Sequence, residues 1–472
     1  MLRRLLDSPW TYFTLAGLLL VGGVLASVVR LNLPALPKGT AADLLTLRER
    51  DDLNVVFILV DTLRADHLSA YGYERKTSPT LDFVAGTGVR FAHVQAQSSW
   101  TKASMASLWT GRYPRRVGVT RFSDAVPAEA VLAAERLRDA GFKTGGIFRN
   151  GWVEANFGFQ QGFDLYIKPV PSRTPARFER KGPSASAIEG TDRDATDSAM
   201  QFIRSNAKER FFLYIHYMDV HQYLYAVESA IFGSEIRDAY DNAIHWTDRN
   251  ISAVLASLQE QGLMSRTLVV IASDHGEGFY EHGLEGHART LYREVTETPL
   301  ILLPPFRLEP GLVVEEPIQN VDVWPTLLDL LGLPPLPEPD GRSLVPLMLA
   351  AGGVPAVDGG GSELEGRPAF AELDLTWGQA FMEPRPLVAI VHDGYRLVQP
   401  VNEPERAELY DRRTDPGEQR NVAAREPERT AAMRAQVQAY MDRGGAFEAP
   451  TVEVDEMRQG QLRALGYMIE TK

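Results

Sequence analysis

Two short runs constrain this chain more than any others: Asn54-Val-Val-Phe-Ile-Leu-Val-Asp61 and Leu268-Val-Val-Ile-Ala-Ser-Asp274-His275-Gly276. Each is a continuous apolar stretch that stops at a carboxylate. A β-branched run without polar alternation reads as a strand buried on both faces of a parallel sheet. In open α/β sheets ligands bind beyond the carboxyl ends of such strands. The two strands therefore bring Asp61, Asp274 and His275 to one edge, and two carboxylates with an imidazole suit a hard divalent cation.

Alternating strands and helices extend this pattern. Buried strands are expected at 143–148, 211–216 and 299–303, and helices at 127–139, 192–206, 235–262 and 321–331. The implied fold is α/β, a mostly parallel sheet with helices on both faces. Residues 170–192, rich in Pro, Ser, Arg and Lys, read as a surface loop. The Gly-rich stretch 350–366 reads as a linker. Beyond it, short strands at 387–391, 395–398 and 408–411 and a helix near 426–442 predict a small α+β subdomain with an antiparallel sheet. The expected domains are a membrane anchor at 1–30, a juxtamembrane linker at 31–52, a catalytic domain at 53–349, the linker at 350–366 and a C-terminal subdomain at 367–472.

The anchor is inferred from Thr11–Val29, an uncharged run that spans roughly 28 Å as a helix. Arg3 and Arg4 precede it and place the N-terminus in the cytoplasm by the positive-inside rule, with the catalytic domain outside, periplasmic or extracellular. The alternative is a cleaved signal peptide with Ala26-Ser27 at the cleavage region. A net charge of −13 with no basic patch argues against nucleic acid as a partner. The absence of cysteine removes disulfides, thiolate ligands and a cysteine nucleophile.

Other strand ends are also polar: Arg149-Asn150 after the 143–148 strand, and Asp219-Val-His221 after the next. Six of the nine histidines fall between His216 and His287, and His275, His282 and His287 share one Gly-punctuated stretch. Such a cluster beside candidate metal carboxylates points to catalysis. Asn150 read alone fits a helix cap at least as well as a site residue. Thr101 opens a helical segment that Gly111 closes, so it reads as an N-cap. A helix N-terminus also suits a bound phosphate or sulfate, and a hydroxyl there, placed on a metal, becomes a nucleophile.

In their order these landmarks resemble the sulfatase family of the alkaline phosphatase superfamily. They are Val60-Asp61-Thr-Leu-Arg-Ala-Asp66-His67, Ser107-Leu-Trp-Thr-Gly-Arg-Tyr-Pro114, Asn150 with Phe157-Gly-Phe and Gly162-Phe-Asp164, Tyr217-Met-Asp-Val-His221, and Ser273-Asp-His-Gly-Glu277. Val321-Asp, Pro325-Thr-Leu-Leu-Asp-Leu-Leu-Gly332, Glu408-Leu-Tyr-Asp and Asp415-Pro-Gly-Glu418 complete the series. The resemblance implies an alkaline-phosphatase-like fold over roughly 53–425. It implies Asp61, Thr101, Asp274 and His275 as ligands of one divalent ion (Mn, Mg, Ca or Zn), with room for a second. It implies Thr101, His221 and His287 as catalytic residues. Asn150, Arg149 and His282 are taken as substrate contacts.

The departures matter. Sulfatases carry Cys or Ser in a Cys/Ser-x-Pro-x-Arg pentapeptide that is oxidised to formylglycine, and this chain has Thr101-Lys-Ala-Ser-Met105. Threonine cannot yield that aldehyde, because its carbinol carbon bears a methyl group. Thr62 replaces the acid that often follows the first metal aspartate. A threonine nucleophile is similar to that of lipoteichoic-acid synthase and the phosphoethanolamine transferases. The expectation is hydrolysis or transfer of phosphate esters through a covalent Thr101 intermediate. The alternatives are sulfate-ester hydrolysis without formylglycine, or a non-catalytic binding protein at the membrane surface. Lipid head groups, envelope polymers or glycan esters are the expected substrates.

Overall fold

A computed structural model describes residues 36–172, 178–180, 190–355, 363–376 and 385–453. By backbone contacts the chain divides into residues 1–36 and a compact unit from Pro37 onward. The expected anchor, and most of the Gly-rich stretch at 350–366, lie outside the described residues. Among those described, no helix is long and apolar enough to cross a membrane.

The centre of the unit is a nine-stranded sheet. Its strands are β1 (Asn54–Val60), β2 (Val89–Gln95), β3 (Lys143–Phe148), β4 (Leu165–Ile167), β5 (Phe211–Tyr217), β6 (Thr267–Ala272), β7 (Glu297–Leu303), β8 (Leu312–Val314) and β9 (Ile318–Gln319). The order is β8-β2-β7-β6-β1-β5-β3-β4, with β9 also on β2. The pairings of β1 with β5 and β6 are parallel, and so is that of β3 with β5. Only β7 runs against its neighbours, β2 and β6. The sheet is mostly parallel, as the apolar runs require. Every residue of β1, β5 and β6 is buried, so alternation is absent because both faces are covered.

On one face Phe57 of β1 stacks on Trp324 at 5.3 Å and lies 6.0 Å from Trp109. These tryptophans come from α2 (Thr101–Thr110) and α6 (Val323–Leu330). On the other side α4 (Asp192–Ser205) packs against β3 and β5, and α5 (Ile236–Glu260) packs on α4. The glycine pair in β3 serves this packing. A Cβ on Gly145 would stand 2.5 Å from the Phe202 ring of α4, and one on Gly146 2.5 Å from Tyr166 of β4. Two shorter helices, α1 (Pro79–Thr87) and α3 (Ala133–Asp139), also belong to this part.

Two expectations need correction. From Lys38 the supposed juxtamembrane linker is packed structure: Lys38–Gly39 pairs with Arg307–Leu308, and the 3-10 helix Ala41–Glu49 buries Leu44 and Leu47 in the core. Helix α3 starts six residues later than periodicity indicates, because Glu135 folds back onto the Leu132 N–H at 2.8 Å and sets the start there.

The C-terminal part is a four-stranded antiparallel sheet, β10 (Ala369–Leu373), β11 (Leu387–His392), β12 (Tyr395–Pro400) and β13 (Glu408–Asp411), in that order. Helix α7 (Pro427–Met441) covers it through Met433, Val437 and Tyr440.

Candidate active site

Register brings the chemistry together. Leu59 of β1 pairs with Ala272 of β6, so two residues further on Asp61 stands beside Asp274. Leu59 also pairs with His216 of β5, and His216 with Phe148 of β3, which puts His216 and Asn150 on Asp61's other flank. Asp61, Thr101, Asn150, Asp274 and His275 are all fully buried.

The donor atoms of Asp61, Asp274 and His275 lie within 4.8 Å of one another. Asp61 Oδ2 accepts from Asn150 Nδ2 at 2.6 Å and lies 3.0 Å from His216 Nε2. Among the described residues Asp61 Oδ1 and Asp274 Oδ2 have no hydrogen-bond partner. Buried carboxylate oxygens left so are costly without a cation. His275 Nδ1 donates to Gly276 O at 3.0 Å, so its Nε2 lone pair faces this same space. Burial works against charge on both carboxylates. At Asp61 the hydrogen bond from His216 and the imidazoles of His221 and His275 outweigh burial and hold it well below the usual range. At Asp274 burial and the Asp61 charge push it up. Two oxygens, one nitrogen and this unrelieved repulsion fit a divalent cation.

Thr101 is the first residue of α2, and the N-cap is Trp100, which makes no side-chain cap bond. The expected capping bond is therefore absent. The hydroxyl points into the site instead, 3.1 Å from His275 Nε2 and 3.4 Å from Asn150 Nδ2. Asn150 does cap, accepting from Trp152 N at 2.8 Å through Oδ1. Its structural and site roles use opposite ends of one amide.

Three imidazoles line up above this centre: His287 lies 4.7 Å from His275 and 4.9 Å from His221, ring centre to ring centre. Burial, with the neighbouring His287 adding to it, pushes His221 down to about 4, so it is neutral at pH 7. Burial also disfavours charge on His287, but Glu277, 3.1 Å from its Nδ1, outweighs this and raises it.

Two expected substrate contacts sit elsewhere. The buried Arg149 guanidinium pairs with Asp192 at 2.9 Å and with Asp219, and donates to Gly190 O at 2.5 Å. Its charge is taken up in anchoring α4. His282 Nδ1 bonds Glu294 at 2.7 Å and Nε2 bonds the Glu418 carbonyl at 2.8 Å. Both nitrogens are engaged in holding the C-terminal part. Sequence reasoning missed His216 and Glu277 as members of the site. His216 carried a signal, a polar residue ending a buried strand next to β1.

A family model described as Sulfatase matches residues 53–333. The steryl-sulfatase of Rattus norvegicus is 33% identical over 406 residues, covering 63% of this chain and 70% of that protein. The chain spans 63% of the length of the arylsulfatase of Hemicentrotus pulcherrimus and 65% of the steryl-sulfatase of Mus musculus, a little under two thirds of each. A solved structure in complex with its substrate, D-glucosamine-2-N,6-O-disulfate, has a TM-score of 0.65 at 19% identity, covering 83% of this chain and 98% of that one. The phosphonate monoester hydrolase from Silicibacter pomeroyi has a TM-score of 0.62 at 20% identity, covering 85% and 99%. At such identity these two share the fold. With a family match over more than half its length, and with two carboxylates and a histidine converging where the sheet demands, this chain belongs to the sulfatase family.

Proposed function

We propose that the chain is a metal-dependent hydrolase or transferase of phosphate esters that works through a covalent Thr101 intermediate. The observation that carries this is the Thr101 hydroxyl, free of capping and held 3.1 Å from His275 Nε2 at a helix N-terminus. Asp61, Asp274, His275 and the Thr101 hydroxyl would hold the cation, which lowers the pKa of that hydroxyl and offsets charge on the phosphoryl oxygens when bound. The Thr101 hydroxyl gives its proton to water as its pKa is lowered, Oγ1 attacks phosphorus in line, and the bond to the leaving alcohol breaks. The Asn150 amide and the free N–H groups of α2 stabilise the developing charge. His287, backed by Glu277, gives its proton to the departing oxygen. Neutral His221 donates its one N–H to an oxygen of the substrate anion. Water or an acceptor alcohol then releases the phosphothreonine.

Thr101→Ala is expected to lower turnover of a model phosphodiester at least about a thousandfold, as loss of a nucleophile does. Survival of that turnover with metal still bound defeats the assignment.

Sulfate-ester hydrolysis is the second reading, favoured by the names of the relatives. It is ranked lower because threonine lacks the diol through which formylglycine expels sulfate by elimination. A sulfothreonine would need a second attack at sulfur. Turnover of 4-nitrophenyl sulfate against bis(4-nitrophenyl) phosphate on one preparation decides between them.

A further inference from the structure

His216 is buried within the central sheet, and the steps above give it no part. It lies on β5, paired with Leu59 of β1 on one side and with Phe148 of β3 on the other. Alternate residues of a strand share a face, so Tyr214 stands beside it. Both side chains are fully buried. The Tyr214 ring is fixed by Trp109 at 5.0 Å, Phe163 at 6.1 Å and Phe57 at 6.2 Å, centre to centre. Its hydroxyl lies 2.7 Å from His216 Nδ1, and His216 Nε2 lies 3.0 Å from Asp61 Oδ2. Among the described residues neither ring nitrogen has a second hydrogen-bond partner, and the hydroxyl has none besides Nδ1.

These contacts fix the order of the donors. A carboxylate only accepts, so Nε2 carries the proton shared with Asp61. A phenol keeps its proton at neutral pH and donates it to the bare Nδ1 of the neutral imidazole. One chain of donors thus runs from Tyr214 through His216 to Asp61 Oδ2. Asn150 Nδ2 reaches the same oxygen at 2.6 Å. Oδ1 has no hydrogen-bond partner among the described residues. Asp274 repeats the division: Thr62 N donates to its Oδ1 at 3.3 Å, and Oδ2 is left over. Each carboxylate gives one oxygen to the protein and keeps the other for the site.

We propose that His216 is a positioning residue for Asp61, and that Tyr214 sets its tautomer. The pair pins Oδ2, so that Asp61 presents Oδ1 alone to a cation and leaves coordination positions for Thr101 and the substrate. This rests on the reading of Asp61 as a metal ligand. Partners that orient a ligand in this way change metal affinity when they are removed.

The test is metal binding, which does not depend on turnover. Mn²⁺ and, separately, Zn²⁺ are titrated by calorimetry into the metal-free full chain. His216→Leu keeps bulk, removes both nitrogens, and is expected to weaken binding about 10–100-fold. His216→Gln places an amide N–H where Nε2 stands and is expected to recover most of that loss. Tyr214→Phe deletes the hydroxyl alone and is expected to weaken binding about two- to tenfold. The thermal midpoint of each variant in EDTA reports packing separately, and the Gln and Phe variants carry the test if leucine prevents folding. Affinity unchanged in the variants that fold, or equal losses with leucine and glutamine, overturns the positioning role while the metal reading stands. Wild type that takes up neither ion overturns both. The expected losses of affinity, found together with a Thr101→Ala variant that still turns over phosphodiester, leave the positioning role standing and remove the nucleophile.

Discussion

At the scale of single residues, the site separates two neighbouring histidines by environment alone. His221 is buried, with no hydrogen-bond partner among the described residues on either ring nitrogen, and burial pushes it down to about 4. His287, 4.9 Å away, has Glu277 on its Nδ1 and is raised. A pair pushed apart in this way divides the roles, and the mechanism proposed above makes His287 the proton donor. His287→Gln is therefore expected to slow esters of alkyl alcohols by about 10²–10⁴-fold. It should barely affect esters of 4-nitrophenol, whose low-pKa leaving group needs no proton. The slope of log rate against leaving-group pKa is the measurement, and an equal loss across the series sinks the assignment. Both histidines were visible in the sequence as members of a cluster, but their unlike environments were not. Thr62 is a similar case. The sequence shows only that it is not an acid. In the structure it adopts φ +59°, a region a β-branched residue rarely enters, and its N–H reaches Asp274 Oδ1 at 3.3 Å. Strain of this kind collects at functional sites, and it is set by tertiary contacts such as Tyr240 Oη donating to Thr62 O at 2.6 Å.

At the scale of elements, what could be read depended on how local the signal was. Strand β3 falls at residues 143–148 and helix α5 within two residues of its expected ends, since apolar runs and 3.6-residue periodicity reside in the segment itself. The direction of β7 was not legible. A buried run has the same composition whether its neighbours run with it or against it. Caps supplied from afar were equally hidden. Ser78 makes no side-chain cap bond to α1. Asp248, on α5, accepts from Thr80 N and Leu81 N, each at 3.0 Å, and caps the helix from 168 residues away. Asp248→Ala strands two buried N–H groups and is expected to cost about 2–3 kcal/mol. Asp248→Asn keeps one acceptor and should cost about half of that. Thermal unfolding of the two variants measures this ladder. Equal losses in both, or none, would remove the capping role.

At the scale of the whole molecule, the C-terminal sheet is locked to the main sheet through Glu418, which lies in the Asp415-Pro-Gly-Glu418 segment whose role no local pattern could reveal. Its carboxylate accepts from the fully buried Arg396 of β12 at 2.7 Å and from Arg293 N at 2.9 Å. Arg396 in turn reaches across to Thr296 at 2.8 Å and Gln95 at 3.1 Å. His282 completes the lock, with Nδ1 on Glu294 and Nε2 on the Glu418 carbonyl. Both partners are acceptors, so the imidazole must carry a proton on each nitrogen to make both bonds. Burial opposes that charge, but Glu294 outweighs it and lifts His282 above its ordinary value of 6.5. The sign follows from linkage. A basic group raised on folding binds its proton more tightly in the native state. Its contribution is complete below 6.5 and fades as pH rises through the raised native value. The lock should therefore hold at pH 6 and loosen as pH rises through that raised value. Measured as thermal midpoint against pH, wild type is expected to exceed His282→Ala by its widest margin near pH 6. The gap should narrow steadily toward pH 9. A gap that is constant with pH would show that His282 contributes packing alone, and one that widens would reverse the sign of the charge argument.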